Sequence, residues 1–181
     1  MFIIKRLSLV MISCSVLATG FISCAEEDPT ATDTSVDAPA EEKKSSTEVA
    51  IGQTLKTEYF DVTVGSAKAS KSVRIDEIQN LEQEAGNKYL VFDVTLKNTD
   101  SESRMMFDGE VIIKANGKEY KYEVPEPVFS DGWGMIMDNI NPLVTKKTKL
   151  VYKIPDELKG TAYYHPARSD DDQVINLGPI N

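Results

Sequence analysis

The sequence predicts an all-β fold, an antiparallel β-sandwich of about eight or nine short strands in residues 49–181, preceded by a signal peptide and a disordered acidic linker. Three observations predict it. Apolar residues beyond Val49 recur at every second position, Gly, Pro, Asn and Asp cut that pattern into strand-length runs, and no long helix is present to carry a crossover between parallel strands. The chain of 181 residues suits one folded domain, since about 130 residues can bury roughly two thirds of their unfolded surface without disulfides.

The first element is an address. Lys5-Arg6 precedes an apolar stretch from Leu7 to Ile22 and then small residues, which is the order of a secretory signal, and the stretch is short for a span needing about 20 residues. Residues 1–23 are therefore expected to be removed. Phe21-Ile22-Ser23-Cys24 resembles the bacterial lipobox, with Phe21 where that motif prefers Leu, and the resemblance implies that Cys24 carries a diacylglycerol and an acylated amine. Several acyl chains at about 0.8 kcal/mol per buried methylene anchor stably.

The next element is a tether, residues 24–48. From Ala25 to Glu48 there is no aromatic residue and eight acids face two lysines, so the segment cannot bury enough apolar surface to offset its ordering entropy. As a coil it separates anchor and domain by about 27 Å on average. Glu26-Glu27-Asp28 resembles the signals that route some lipoproteins to the outside of an outer membrane.

The strands follow in order: Thr54–Phe60, Asp61–Lys68 and Ser72–Glu77. Asp76–Ala85 resists the pattern, with Ile78, Leu81 and Ala85 near helical spacing, and is read as a loop or a single helical turn. Lys88–Asn98 alternates most clearly, placing Leu90, Phe92, Val94 and Leu96 on one face. Glu110–Ala115 and Lys118–Val124 flank Asn116-Gly117, which tolerates the positive φ of a type I′ turn and so predicts a hairpin. Thr148–Ile154 turns Leu150, Tyr152 and Ile154 inward, and Pro155 ends it by removing a ladder donor. Thr161–His165 and Gln173–Leu177 complete the set.

Asn87 to Asn98 resembles the central strand of a telokin-like, immunoglobulin-like domain of unknown function found in bacterial secreted proteins and lipoproteins. Asn141 to Pro155 is similar to the same family's Asn-Pro turn, basic stretch and apolar strand ending in Pro, and Gly52–Val64 and Ile175–Gly178 fit its opening and closing strands. The resemblance spans about Ile51 to Gly178. It implies an immunoglobulin-like extracytoplasmic sandwich and brings no catalytic residues with it. Pro125–Asn141 departs from the family in being rich in aromatic and sulfur side chains.

Charge narrows the function. With 20 basic and 29 acidic side chains, the chain lacks the basic footprint of a nucleic-acid binder. The tether carries a net charge of −6 and residues 49–181 a net charge of −5, so the acidity resides mainly in the spacer. A single histidine and no cysteine beyond Cys24 disfavour a His/Cys metal centre and a thiol nucleophile, and no cofactor motif is present. His165, in Tyr163-Tyr164-His165-Pro166, lacks a nucleophile and an orienting acid at a known spacing, and reads as a strand-end histidine. Asp170, Asp171 and Asp172 form the densest acidic run, a weak calcium candidate without EF-hand spacing, better read as solvated turn acids.

Val128–Met137 holds the sole tryptophan between two glycines, and its Phe129, Trp133, Met135 and Met137 are the candidate partner contacts, because aromatics and methionine recur in interface hot spots. The competing reading makes Phe129, Trp133 and Met137 a plug at the open end of the sandwich. The sequence thus predicts a noncatalytic module in the cell envelope, anchored to a membrane through Cys24 and binding a protein or envelope ligand. A structural or chaperone-like envelope component and a hydrolase with an unrecognised site are the alternatives.

Overall fold

A computed structural model describes residues 47–105, 107–134 and 139–181. Alternation of buried and exposed side chains generates the strands β1 (Thr47–Ala50), β2 (Thr54–Lys56), β3 (Phe60–Ser70), β4 (Val73–Arg74), β5 (Asn80–Leu81), β6 (Asn87–Asn98) and β7 (Arg104–Met105). After them come β8 (Glu110–Ala115), β9 (Lys118–Tyr122), β10 (Asn139–Ile140), β11 (Thr145–Pro155), β12 (Gly160–His165) and β13 (Gln173–Ile180). Two main sheets result, one of five strands in the order β1-β13-β12-β8-β9 and one of four in the order β11-β6-β3-β2. The chain changes sheet between β1 and β2, between β6 and β8, between β9 and β11, and between β11 and β12, so the sheets face each other as the predicted β-sandwich.

The core lies between them. Leu90, Phe92, Val94 and Leu96 of β6 and Leu150, Tyr152 and Ile154 of β11 point inward as their alternation requires, and Val111, Ile113, Tyr164 and Ile175 meet them from the five-stranded sheet. Phe92 stacks on Tyr152 at 5.8 Å between ring centroids and meets Tyr164 at 4.9 Å across the sheets. The β8–β9 hairpin turns through Asn116 (φ 52°) and Gly117 (φ 72°), the two-residue loop its sequence predicts.

Several sequence expectations need correction. Thr47 and Glu48, assigned to the tether, already belong to β1, which pairs in parallel with β13, so the five-stranded sheet is not wholly antiparallel. The run Thr54–Phe60 breaks after Lys56, because Thr57 accepts a hydrogen bond from the Phe60 amide in a tight turn. Ser72–Glu77 shortens to Val73–Arg74 and Lys118–Val124 ends at Tyr122, whereas β11 starts three residues early at Thr145 and β13 runs on to Ile180. Asp76–Ala85 contains no helical turn. Asp76 Oδ1 accepts from the amides of Ile78 and Gln79, an Asx turn that leads instead into β5.

Two features shape the outer face of the four-stranded sheet. In β3 the register to β6 shifts between Val64 and Ala67, so Gly65 and Ser66 together oppose Asp93 in a β-bulge. Phe60, Val62 and Val64 face the core before the bulge and Ala67 and Ala69 after it, which leaves Ser66, Lys68 and Ser70 on the outer face. Further along, Tyr89 and Val151 on that outer face are buried under Val73, Ile75 and Val128, with Trp133 packed against the cluster. The sheet therefore has a second, smaller hydrophobic layer on its back.

Candidate functional site

Where that layer ends, a groove of about 250 Å³ opens on the outer face. Ser66, Lys68 and Ser70 of β3 and Val91 and Asp93 of β6 form its floor, Trp133 and Lys149 one wall, and Val73 and Arg74 the other. Asp93 accepts a hydrogen bond from Ser66 Oγ, and Lys149 Nζ lies 4.0 Å from its carboxylate while standing 4.8 Å from the Trp133 ring centroid. Lys68 makes no ion pair or hydrogen bond among the described residues. The Arg74 Nε donates only to the Asp76 carbonyl, at 3.4 Å. Three cations thus surround one carboxylate that is already engaged.

The Trp133 wall is held by main chain. The Glu126 amide donates to the Val151 carbonyl at 2.7 Å, the Gly134 amide to Lys149 at 2.8 Å, and the Lys149 amide to Gly132 at 2.9 Å. This segment runs along the edge of β11 and engages the Lys149 amide and the carbonyls of Lys149 and Val151. Trp133 consequently lies on the back of the four-stranded sheet, half-buried, rather than in the open end of the sandwich. Phe129 is 88 % exposed. Ser130 Oγ donates to Asp76 Oδ2 and ties the segment to the β4–β5 turn; the Gln79 and Ile78 amides, and this bond after them, hold the Asp76 carboxyl below its usual pKa. Met135 and Met137 lie outside the described residues, as does Cys24.

The other sequence candidates converge on a different surface. A groove of about 490 Å³ on the outer face of the five-stranded sheet collects Glu48, Glu110, Lys121, His165, Asp171 and Asp172. Here polar groups answer one another: Lys121 Nζ and His165 Nδ1 lie 3.2 Å and 3.3 Å from Glu110 Oε1, and Lys114 Nζ lies 3.1 Å from Glu119. His165 Nε2 faces the Asp170 carbonyl at 3.1 Å, so both ring nitrogens address acceptors. No Ser, Thr or Cys lines this groove, which leaves His165 no nucleophile to activate there. Asp170 to Asp172 form the β12–β13 turn, where the Gln173 amide donates to the Asp170 carbonyl. Among the described residues no three His, Cys, Asp or Glu side chains converge as a metal site.

The groove beside Trp133 is the one that sequence reading missed, apart from the indole itself. Ser66, Lys68 and Asp93 read as parts of ordinary strands, and only a bulge brings them together. The available signal was Gly65, since an isolated glycine inside a strand pattern marks a bulge or a close approach.

The model of one family, described as Domain of unknown function (DUF4352), matches residues 49–171. Among solved structures, an uncharacterized β-sandwich protein from Clostridium difficile 630 is similar at 19% identity and TM-score 0.54, the match covering 77% of this chain and 99% of that one. The yjhA protein from Bacillus subtilis matches at 18% identity and TM-score 0.47 over 71% of this chain and 98% of its own. A conserved hypothetical protein from Bacillus anthracis matches at 21% identity and TM-score 0.47, over 74% and 95%. No protein with a curated description matches the chain.

Proposed function

The chain belongs to the DUF4352 family of domains of unknown function, and from that premise we propose that it is a noncatalytic recognition domain of the bacterial cell envelope, anchored through lipid-modified Cys24. Its ligand, a protein or another envelope component, binds in the groove beside Trp133. The observation that carries this reading is the groove itself, where an aromatic wall, two cations without carboxylate partners among the described residues and several hydroxyls converge on one concave surface. Concave surfaces with an apolar body and a few convergent polar groups are where ligands bind. Anchoring is supported by the charged, apolar and small-residue order that ends at Cys24 and by the acidic segment after it. The four changes of sheet support the telokin-like, immunoglobulin-like resemblance.

Two measurements test the proposal. The native protein should sediment with membranes and incorporate palmitate, and Cys24→Ala should do neither; equal labelling of both rejects the anchor. Trp133 is the sole tryptophan, so its fluorescence reports the groove directly. Titrating the full-length protein in detergent with fragments of the cell's own envelope should shift that emission saturably. An unchanged spectrum at all concentrations rejects the groove as the binding site.

A further inference from the structure

The four-stranded sheet has two edges, and they are treated differently. That of β11 is occupied by the 126–134 segment through the hydrogen bonds to Lys149 and Val151. That of β3 is paired with β2 only from Asp61 to Thr63, and the Gly52 amide takes the Val64 carbonyl. From Gly65 to Ser70 no described residue pairs with the outer side of β3, and a Cβ placed on Gly65 would meet nothing nearer than Asp93 Cβ at 3.9 Å. Proteins ordinarily shield such an edge, because its unpaired amides and carbonyls are a template for another strand.

This open edge is built from small residues and borders the groove directly. Ser66, Lys68 and Ser70 present its outer face, while Ala67 and Ala69 present its inner face against the border of the core. Side chains of an added strand lie beside their cross-strand neighbours on the same face. Outward residues of such a strand would therefore meet Lys68 and face the groove that Arg74 also lines, with Lys149 farther off on β11, and inward residues would extend the apolar edge begun by the two alanines. The groove lining, with Lys68, Arg74 and Lys149 against the one carboxylate of Asp93, contrasts with a domain whose net charge is −5, so its positive sign is a local property.

From the coincidence of free edge, small side chains and an excess of cations over carboxylates in the groove lining, we propose that this groove takes an extended acidic polypeptide, which pairs as an added strand along Gly65–Ser70 with acids outward and apolar residues inward. The inference rests on the groove reading above and specifies its ligand. Strand addition supplies affinity through main-chain hydrogen bonds and selectivity through alternate side chains.

The probe is a synthetic peptide in which Glu and Val alternate, compared with one in which Lys and Val alternate, each added to the full chain in detergent. The Glu–Val peptide is expected to slow amide hydrogen exchange within Gly65–Ser70, to shift Trp133 emission, and to bind at least about tenfold tighter than the Lys–Val peptide at low salt. Lys68→Glu combined with Arg74→Glu should erase that preference and leave the melting temperature unchanged, both side chains being exposed. Equal binding of the two peptides overturns the charge assignment. Binding without slowed exchange overturns strand addition. If envelope fragments shift Trp133 emission while the Glu–Val peptide does nothing, the acidic strand is rejected and the groove stands as the binding site; if neither shifts it, both fall.

Discussion

Lys88 and Asn98 stand at the two ends of β6, and both do more than their place in the alternation discloses. Lys88 is only 3% exposed, and its ammonium spends all three protons on carbonyls, those of Asp156 (3.0 Å), Leu158 (2.8 Å) and Asn181 (3.0 Å). Burial lowers its pKa below the usual lysine value, and the three acceptors compensate the charge. Asn98 is wholly buried and does for the other end what Lys88 does for this one, its Nδ2 donating to the carbonyls of Glu102 (2.8 Å) and Ile140 (2.7 Å). Removing Lys88 would strand three inward-facing carbonyls. Lys88→Ala is therefore expected to cost about 2–4 kcal/mol, read as a lower urea midpoint, against less than about 0.5 kcal/mol for Lys97→Ala on the exposed face of the same strand. Equal midpoints for the two variants would show that the carbonyls find other partners. In the sequence both residues look like polar ends of a strand, since a lysine's burial depends on carbonyls some 70 or more residues away.

At the scale of elements, alternation made the strands with long-range partners legible, above all β6, β8 and β11, because one face of each must be buried whatever its neighbours. It failed where local chemistry interrupts pairing, at the Thr57 turn, at the Asp76 Asx turn and at the bulge in β3. It also failed in the segment 123–134, which has no regular structure yet works as a strand cover for β11. Gly134 shows why that cover needs its glycine. Its φ is +73°, and a Cβ there would meet the Val128 carbonyl oxygen at 2.3 Å, whereas Gly132, at φ +76°, has nothing within 4 Å. Gly132→Ala should then cost only about 1 kcal/mol of conformational strain, while Gly134→Ala should cost roughly 2–3 kcal/mol as the segment is pushed off the edge. Freed of its cover, β11 would offer a long edge to other chains, so Gly134→Ala should also raise light scattering with protein concentration. Identical melting curves for the two variants would mean the segment is not held where its hydrogen bonds place it.

For the molecule as a whole, the sandwich was readable because period-two patterning with frequent turns admits few other architectures, but what joins its sheets was not. Neither cysteine lies in residues 47–181, and the sheets are bridged instead by Phe92 and Tyr152 from one side and Tyr164 from the other. Both phenols end on main-chain carbonyls just ahead of β8, Tyr152 on Gly109 at 3.1 Å and Tyr164 on Asp108. Burial first raises both tyrosines above the ordinary value of 10.0, Tyr164 far above it; the Asp108 carboxylate adds to it at Tyr152, and the Tyr152 phenol and then Asp108 add to it at Tyr164. The consequence has a definite sign. Below pH 10 both phenols are protonated whether the chain is folded or not, so their contribution is complete; above it the unfolded chain releases protons that the folded one keeps, and stability falls with pH until the folded pKa is passed. Each tyrosine contributes a slope of about 1.4 kcal/mol per pH unit in that range. Urea midpoints should accordingly decline from about pH 10 upward, the tyrosinate absorbance of the pair should appear together with unfolding, and Tyr164→Phe should lessen the decline by about one such slope. A stability that stayed level through this range would mean that the sheets are not joined through neutral buried phenols.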